Sequence, residues 1–348
     1  MLLKHGFWSL DEDQKALQLL QVISIPFHLH KSLFFLQFST HNPLWLLKSD
    51  MQPQLVLFTG DYGEENVPLV QSVAALPFPK AVILGNHDAW HTQDLFKKRK
   101  GKQNGVQTQL DILGDEHVGY RRMDFPSLKL SVVGGRPFSR GGDQLFREKL
   151  LKQRSRNAEE TIDSLYRKKL QYGVLDMNAS AGSICRAALG TPEDHVVLIL
   201  AHNGPTGLGS QAEDICGKDW SVEGGDYGDP DLEQALRQLK ETTELSVPLV
   251  VFGHMHKELE GGKGNRKLVV QDSDNEIVYV NGAIVPRVIE TNETPVGAAE
   301  SESGGTVRAF TLVEILDGKI KKVVESWVQV LGSMAKIVDE QTLFEDVT

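Results

Sequence analysis

Polar side chains of the kind that bind metal ions follow four apolar runs of this chain. The runs read "QLVLFTGD", "KAVILGNHD", "HVVLILAHN" and "VPLVVFGHMH". Their candidate ligands are Asp61, Asn86, His202, His254 and His256. A mixture of carboxylate, amide and imidazole donors suits divalent Mn, Fe, Zn or Co, whereas calcium prefers oxygen ligands alone. The sequence therefore predicts a site for one of these transition-type metal ions.

The spacing of the last two histidines indicates more than one ion. His254 and His256 stand two positions apart, so in an extended segment they project to the same side and can serve neighbouring ions. A carboxylate such as Asp61 can bridge two ions about 3.5 to 4 Å apart, which is a known device for activating water. We expect a centre with two divalent ions of unassigned identity.

Strands and helices of an α/β fold must position these ligands. After "QLVLFTGD", apolar residues at helical spacing from Val67 to Leu76 predict a helix, and "KAVILGNHD" then repeats the strand pattern. This is a β-α-β unit with parallel strands, and open α/β sheets place ligands at the carboxyl ends of such strands. The same order returns later, where a helix starting near Asp229 separates the runs that end in His202 and His254.

The remaining segments are less regular. Ser9 and Glu12 fit a capping box that starts a short helix, whereas residues 22–51 match no single element and stay unassigned. Residues 94–189 carry a charged stretch typical of a helix, and we interpret them as a helical insertion beside the core. Toward the C-terminus, "EIVYVNGAIVPRV" and a hairpin turning at Asp317 and Gly318 read as strands, with a mobile loop expected at about 290–305.

Composition limits the classes of partner. The chain has 348 residues, 40% hydrophobic residues and a formal charge of −10. The negative charge argues against bulk binding of nucleic acid, and a small anionic substrate needs local help such as metal ions. No apolar run is long enough for a membrane span, and no signal peptide follows Met1. The only cysteines, Cys185 and Cys216, are far apart and indicate a reducing intracellular compartment, and the oligomeric state stays open.

Taken together, five motifs resemble one known family. They read "KHG", "TGDYGEE", "LGNHDAW", "LAHNG" and "FGHMHKE", and their order and spacing over about residues 53–288 are similar to those of the calcineurin-like metallophosphoesterase superfamily. The residues of motifs such as "GNHDAW" and "FGHMHKE" look most like those of a branch of the family found in cyanobacteria and plants. The resemblance implies a four-layer α/β/β/α sandwich formed by a single domain over residues 1–348, with much of the second sheet supplied by the C-terminal strands.

The resemblance also implies residue roles. Asp61 would bridge two metal ions, and His87, held by Asp88, would act as proton donor or transition-state stabiliser. The implied ligands of one metal ion are Asn86, His202 and His254, and those of the other are His5 and His256. The implied reaction is hydrolysis of a phosphate monoester or diester of a small phosphorylated substrate by a hydroxide that two metal ions activate.

The chain departs from the family at its first motif. Leu3 stands where relatives have an aspartate, and the strand that should precede it has no room, so the first strand is expected to be missing. Losing a carboxylate should weaken one metal site, which leaves a second hypothesis, a catalytically impaired metal-binding or partner-binding protein. A truncated or mis-spliced chain would explain the departure, and the compartment is then the cytoplasm or, for a shortened plant protein, the plastid.

Several residues match no motif. His91, His117 and His195 are expected to be surface or packing residues. The glycine pairs Gly134-Gly135 and Gly141-Gly142 could cradle a phosphate, but flexible turns explain them equally well.

Overall fold

The structure is a computed structural model and describes most of the chain. The described residues are 22–24, 54–94, 104–152, 172–272, 274, 276–285, 287–291, 306–331 and 334–346. Within those ranges, no helix combines the length and the apolar character that a membrane crossing needs. The predicted helix from Ser9, most of residues 22–51, and the loop at 292–305 lie outside the described residues.

The predicted β-α-β unit is confirmed. Strand β2 (Val56–Phe58) pairs in parallel with β3 (Lys80–Val82), and helix α1 (Val67–Ala74) connects them. Asn66 caps α1, because its side-chain oxygen accepts a hydrogen bond from the backbone N–H of Leu69. The buried residues of α1 recur at helical spacing, so one face of the helix packs on the sheet.

The first sheet contains seven strands among the described residues. Its further members are β1 (Val22–Ser24), β10 (Val288–Glu290), β11 (Thr306–Leu316), β12 (Lys319–Leu331) and β13 (Met334–Glu345). The order is β13-β12-β11-β1-β2-β3, and β10 pairs with β11. The predicted hairpin turn at Asp317 and Gly318 is present, and both residues have positive φ, 50° and 75°, as such two-residue turns require.

One expectation about the first sheet is changed by the structure. The C-terminal hairpin belongs to this sheet, beside the strands that lead to Asp61 and Asn86, and not to the second sheet. The position between β2 and β11 is held by β1, which runs antiparallel to β2 and parallel to β11. Residues 1–6, to which the expectation of a missing first strand refers, lie outside the described residues.

The second sheet contains six strands among the described residues. They are β4 (Arg122–Phe125), β5 (Leu130–Gly134), β6 (Val196–Leu200), β7 (Leu249–Phe252), β8 (Val269–Gln271) and β9 (Val278–Asn281). Their order is β4-β5-β6-β7-β9-β8, in which β5, β6, β7 and β9 are parallel and the two outer strands antiparallel.

Residues 94–189, interpreted from the sequence as a helical insertion, contribute strands as well as helices among the residues that the structure describes. Strands β4 and β5 lie inside that region, and β5 pairs with β6 in the body of the second sheet. The helices of the region are α2 (Gly105–Leu113), α3 (Glu148–Lys152) and α4 (Met177–Ala188). Sequence periodicity is a local signal, so it indicated only the helical character of the charged stretch. The pairing of β5 with β6 joins distant parts of the chain, and periodicity does not reveal it.

Alternating burial builds the four layers. Leu57 on β2 points into a core shared with Leu198 and Val251 of the second sheet, whereas its neighbours Val56 and Phe58 face α1 and α2. The face of β6 and β7 that points away from the first sheet packs against α4 and the predicted helix α5 (Pro230–Thr242). The predicted α/β/β/α sandwich is therefore confirmed, and two sheets meet face to face at its centre.

Candidate metal centre

The candidate ligands meet where four strand ends converge. Asp61 and Asn86 follow β2 and β3 of the first sheet, and His202 and His254 follow β6 and β7 of the second. One ligand atom from each of Asp61, His202 and His254 lies within 4.8 Å of the others. Because the two sheets are stacked, the carboxyl ends of both pairs of strands open on the same edge of the sandwich.

The backbone at these positions is unusual. Asp61 has φ of 62° and His254 has φ of 65°, the left-handed region that non-glycine residues seldom occupy. Holding each residue there costs on the order of 1 kcal/mol or more, and such strain is commonly found at functional sites. Glycine makes the approach of the loops possible, since a Cβ on Gly85 would lie 2.3 Å from Asp61 Oδ1.

The imidazole of His202 is oriented by a backbone carbonyl. His202 Nδ1 lies 2.6 Å from the carbonyl oxygen of Thr59, which can only accept, so Nδ1 carries the hydrogen. In the neutral ring Nε2 then holds a lone pair, and it faces Asn86 Oδ1 at 3.0 Å and Asp61 Oδ2 at 3.3 Å. Three electron-rich atoms therefore converge in a buried space, an arrangement that a cation between them stabilises.

Charge interactions at the centre agree with a cation-binding role. Burial alone would lower the pKa of His202, but its neighbours together raise it, Asp61 first and then the carbonyl oxygen of Thr59 and the charge of Asp88. Burial opposes ionisation of Asp61 too, yet the histidines, His202 first, hold the pKa of Asp61 well below its usual range. Burial, followed by the charge of His202, lowers the pKa of His254 to about 3, so its ring stays neutral. Asp61 and His254 are therefore held in the ionised and neutral forms that ligate divalent metal ions, whereas a metal ion would have to displace a proton from His202.

The residues therefore fit a divalent metal ion. The carboxylate, the amide oxygen and the two imidazoles are donors that Mn, Fe, Zn or Co accept, and the second nitrogen of His202 is fixed by a backbone carbonyl, as is usual for metal-binding histidines. Asp61, Asn86, His202 and His254 could hold one such ion.

Asp88 contacts backbone amides and not the ring of His87. Its Oδ2 accepts hydrogen bonds from the N–H groups of Asp61 (2.8 Å) and Gly85 (2.7 Å), and its Oδ1 accepts one from Tyr62 (2.8 Å). Burial first, and then the charge of Asp61, raise the pKa of Asp88 to about 7, although the three N–H groups oppose this. The expected pairing of Asp88 with His87 is thus replaced by a clamp that joins the loops after β2 and β3.

His87 lies beside the centre and is half-buried. Its backbone N–H donates to Asp61 Oδ1 at 3.0 Å, and its ring stacks on Trp90 with the centroids 4.9 Å apart. Orientation of the imidazole therefore comes from an aromatic neighbour and not from the carboxylate that the sequence suggested.

The second half of the predicted two-ion centre is only partly described. His256 is exposed, two residues beyond His254, and it is not part of the group formed by Asp61, His202 and His254. His5 and Leu3 lie outside the described residues.

Two residues that the sequence did not reveal help to build the site. Thr59 orients His202 through its carbonyl oxygen. The buried Arg266 donates from Nε to the carbonyl oxygen of His256 at 3.0 Å, and its Nη1 contacts three carbonyl oxygens of the loop before α5. Neither backbone contact has a sequence signature, because a carbonyl oxygen is an atom that every residue carries. Arg266 also pairs with Asp219, with Nη2 3.3 Å from Oδ2.

Comparison with known proteins identifies the family. A family model described as calcineurin-like phosphoesterase matches residues 37–258, a span that contains all four strand-end motifs. Among solved structures, the chain is similar to the calcineurin-like phosphoesterase YfkN from Bacillus subtilis, with 11% sequence identity, 93% of this chain and 90% of that chain covered, and a TM-score of 0.24. No curated protein matches the chain. Because the family model covers well over half of the chain, including every described candidate ligand, the chain belongs to the calcineurin-like phosphoesterase family.

Proposed function

We propose that this protein is a metal-dependent hydrolase of phosphate monoesters or diesters. One observation carries the proposal, the convergence of three acceptor atoms in a buried space. They are Nε2 of His202, Oδ2 of Asp61 and Oδ1 of Asn86. When the ring of His202 is neutral, its hydrogen is on Nδ1, so no hydrogen lies between Nε2 and the two oxygens. Family membership makes phosphoester hydrolysis the reaction such a site would serve.

The proposed ligand sets follow the family pattern. Asn86, His202 and His254 would hold one ion, His256 and His5 would hold the other, and Asp61 would be shared. When bound, two divalent ions would polarise the phosphoryl oxygens and lower the pKa of a water molecule. No side chain of the protein needs to form a covalent intermediate.

His87 is the proposed proton donor to the leaving oxygen. Its backbone N–H is anchored on Asp61, the charge of its side chain interacts with the Asp61 carboxylate, and the stack on Trp90 limits the orientation of its ring. Asp88 would act as a positioning residue, because its clamp on the amides of Asp61 and Gly85 fixes the loop that carries His87. General acid catalysis of this kind contributes roughly 10²- to 10⁴-fold in rate.

The test is hydrolysis of p-nitrophenyl phosphate and bis(p-nitrophenyl) phosphate by the full chain with added Mn²⁺. We expect turnover that EDTA abolishes and that His87→Ala lowers by at least about a hundredfold. A wild-type rate no higher than that of His87→Ala would contradict the proposal.

Metal binding is tested separately from turnover. Asp61→Asn should weaken Mn²⁺ binding by more than about a hundredfold, because the charged ligand is lost while asparagine still tolerates positive φ. Asp317→Asn is the matched control, since Asp317 also has positive φ (50°) but lies in the β11–β12 turn. Isothermal titration of both variants with Mn²⁺ should show a loss for Asp61→Asn alone, and equal affinities would rule out Asp61 as a ligand.

The second candidate is a metal-binding protein with impaired catalysis, which Leu3 favours because relatives carry an aspartate there. It predicts Mn²⁺ binding without turnover in the wild-type chain. Leu3→Asp should then create measurable hydrolysis, and failure to do so would remove the explanation that this carboxylate is what the chain lacks.

A further inference from the structure

Two aromatic groups flank the candidate metal centre, and each touches one of its residues. The first, named here the Trp90 wall, consists of His87, Trp90 and Phe146, with Trp90 stacked on His87 and 6.2 Å from Phe146 between centroids. The second, the Trp220 wall, consists of His254, Tyr227 and Trp220. Tyr227 lies nearly parallel to His254 at 6.4 Å and is met edge-on by Trp220 at 4.8 Å.

The Trp90 wall is held in place from its other side. Arg147 Nε donates to the carbonyl oxygen of Ala89 at 2.9 Å, a second nitrogen donates to that of Trp90, and the guanidinium lies 4.5 Å from the centroid of Phe146. Despite these contacts, 37% of Trp90 is exposed. A fixed indole with an open surface is available to a ligand at little entropic cost.

The Trp220 wall lies on an ordered loop before α5. Lys218 donates its N–H to the carbonyl of Gly225, and Tyr227 donates to that of Cys216, both at 2.8 Å, so the loop doubles back on itself like a hairpin. Arg266 fastens this loop to the turn that carries His256. Trp220 nevertheless keeps half of its surface, 50%, exposed.

Each wall carries a cation. The Arg140 guanidinium lies 5.7 Å from the centroid of Phe146, and Lys218 Nζ lies 5.4 Å from that of Tyr227. Arg140 also links the walls, because the next residue, Gly141, packs so closely on Tyr227 that a Cβ there would lie 2.5 Å from its carbonyl oxygen. Within the described residues neither cation forms an ion pair, although the chain as a whole carries a charge of −10.

We propose that the centre takes small phosphoesters that carry a planar aromatic ring, such as a nucleoside monophosphate. The ring would stack on the exposed face of Trp220, the more open of the two indoles, and Arg140 and Lys218 would attract the anionic part. Hydrolysis of a phosphoester does not by itself require an indole near the metal ions. Nucleobases and aryl groups, in contrast, stack on aromatic side chains because each of them has a planar π-face. This inference rests on the proposed hydrolysis, because it names the substrates of the same site.

The decisive comparison uses two substrates that differ only in the ring. Adenosine 5′-monophosphate and ribose 5-phosphate present the same phosphate, and the full chain with Mn²⁺ should favour the first by about tenfold or more in kcat/KM. Trp220→Ala should reduce this selectivity by about tenfold, mainly through KM, and Trp220→Phe should restore most of it. Val222→Ala, an exposed neighbour on the same loop, should keep the wild-type selectivity. A selectivity near one in the wild type, or one that Trp220→Ala leaves unchanged, would overturn the inference.

A second readout does not depend on turnover. In EDTA, adenosine 5′-monophosphate should quench tryptophan fluorescence with saturation, ribose 5-phosphate should not, and Trp220→Phe should remove most of the quenching. Saturable quenching without any hydrolysis would refute the proposed function but support the aromatic binding site. Hydrolysis without quenching or selectivity would support the proposed function and refute the aromatic binding site. Phenyl phosphate against glycerol phosphate tells whether any aryl group suffices or a nucleoside is required.

Discussion

At the residue scale, the candidate centre depends on how each ligand is held as much as on its chemical type. Asp61 and His254 both have left-handed backbone, and His202 has one nitrogen fixed on the carbonyl oxygen of Thr59. These constraints orient the donor atoms before any ligand arrives, so less free energy is lost in ordering them on binding. Neighbouring histidines of the same chain serve other purposes: His117 and His195 are buried, and His91 pairs with Glu64 at the surface.

His117 gives a pH prediction that is independent of the metal centre. Burial, with a smaller effect of Arg121, lowers the pKa of His117 to about 3 from an ordinary value of 6.5. Between these values the unfolded chain binds a proton at this residue and the folded chain does not, so folding stability falls as the pH drops from 6.5 toward 3. The loss should approach about 1.4 kcal/mol per pH unit from this group alone.

The measurement is urea unfolding in EDTA at several pH values between 7 and 4. His117→Gln, whose amide oxygen can still accept from the N–H of Leu84, should lose stability less steeply than the wild type as the pH falls. His91→Gln is the matched control, because it makes the same substitution at an exposed position. If both variants follow the wild-type curve, burial does not lower the affinity of His117 for protons.

At the element scale, the loops after β2 and β3 must touch for the site to form. The clamp by Asp88 joins their amides, and glycines remove the side chains that would keep the loops apart. Gly60 has φ of 93°, and a Cβ there would lie 2.5 Å from the backbone nitrogen of Gly85. The strands thus deliver ligands to a common edge, while the loops set the distances between them.

Gly60→Ala and Gly207→Ala separate backbone strain from steric conflict. Both glycines have φ of 93°, but a Cβ on Gly207 meets nothing within 4 Å. Gly207→Ala should therefore cost only the strain, about 1 to 2 kcal/mol. Gly60→Ala should cost roughly 1 to 3 kcal/mol more and weaken Mn²⁺ binding about tenfold or more, because the adjacent Asp61 must shift.

Urea unfolding and Mn²⁺ titration of the two variants check this prediction. Equal losses of stability with unchanged Mn²⁺ affinity would mean that the loops can separate without disturbing the ligands. Circular dichroism before each titration confirms that both variants are folded.

At the scale of the whole molecule, a buried charge network ties the second sheet and its outer helix to the site. Arg136, in the loop after β5, lies 2.7 Å from Asp229 and 3.2 Å from Asp231, and all three side chains are almost fully buried. Burial is the main reason that the pKa of Asp229 rises to about 6, and the positive charge of Arg136 opposes this rise. Asn203, next to His202, donates to Asp229 at 3.4 Å. The network therefore connects the start of α5 to the strand end that carries a metal ligand.

Removing the cation of this network should be costly. Arg136→Met leaves two buried carboxylates without their partner and should lower the free energy of unfolding by about 3 to 5 kcal/mol. Arg237→Met, which breaks the exposed pair of Arg237 with Glu233 on α5, should cost less than about 0.5 kcal/mol. Urea unfolding of both variants at pH 7 provides the measurement, and a loss for Arg136→Met as small as that of the control would show that the network contributes little.

The sequence predicted the parts of this molecule that depend on local pattern. Apolar runs ending in polar residues predicted β2, β3, β6 and β7 correctly, because a buried strand needs a continuous apolar stretch whatever its partner is. The hairpin at Asp317 and Gly318 followed from residues that tolerate positive φ. No sequence pattern predicted β13, an edge strand whose described side chains are largely exposed and in which polar residues are as frequent as apolar ones.

Residue types alone thus determined the fold class, the candidate ligands Asp61, Asn86, His202 and His254, and their placement at strand ends. Only the tertiary structure decided which strands share a sheet, since β5 and the C-terminal hairpin take their places through pairing between distant segments that periodicity does not encode. It also decided the partners of Asp88 and His202, because both contact backbone groups. Every residue carries the same amide, so no sequence pattern marks which one a folded chain brings within hydrogen-bonding distance.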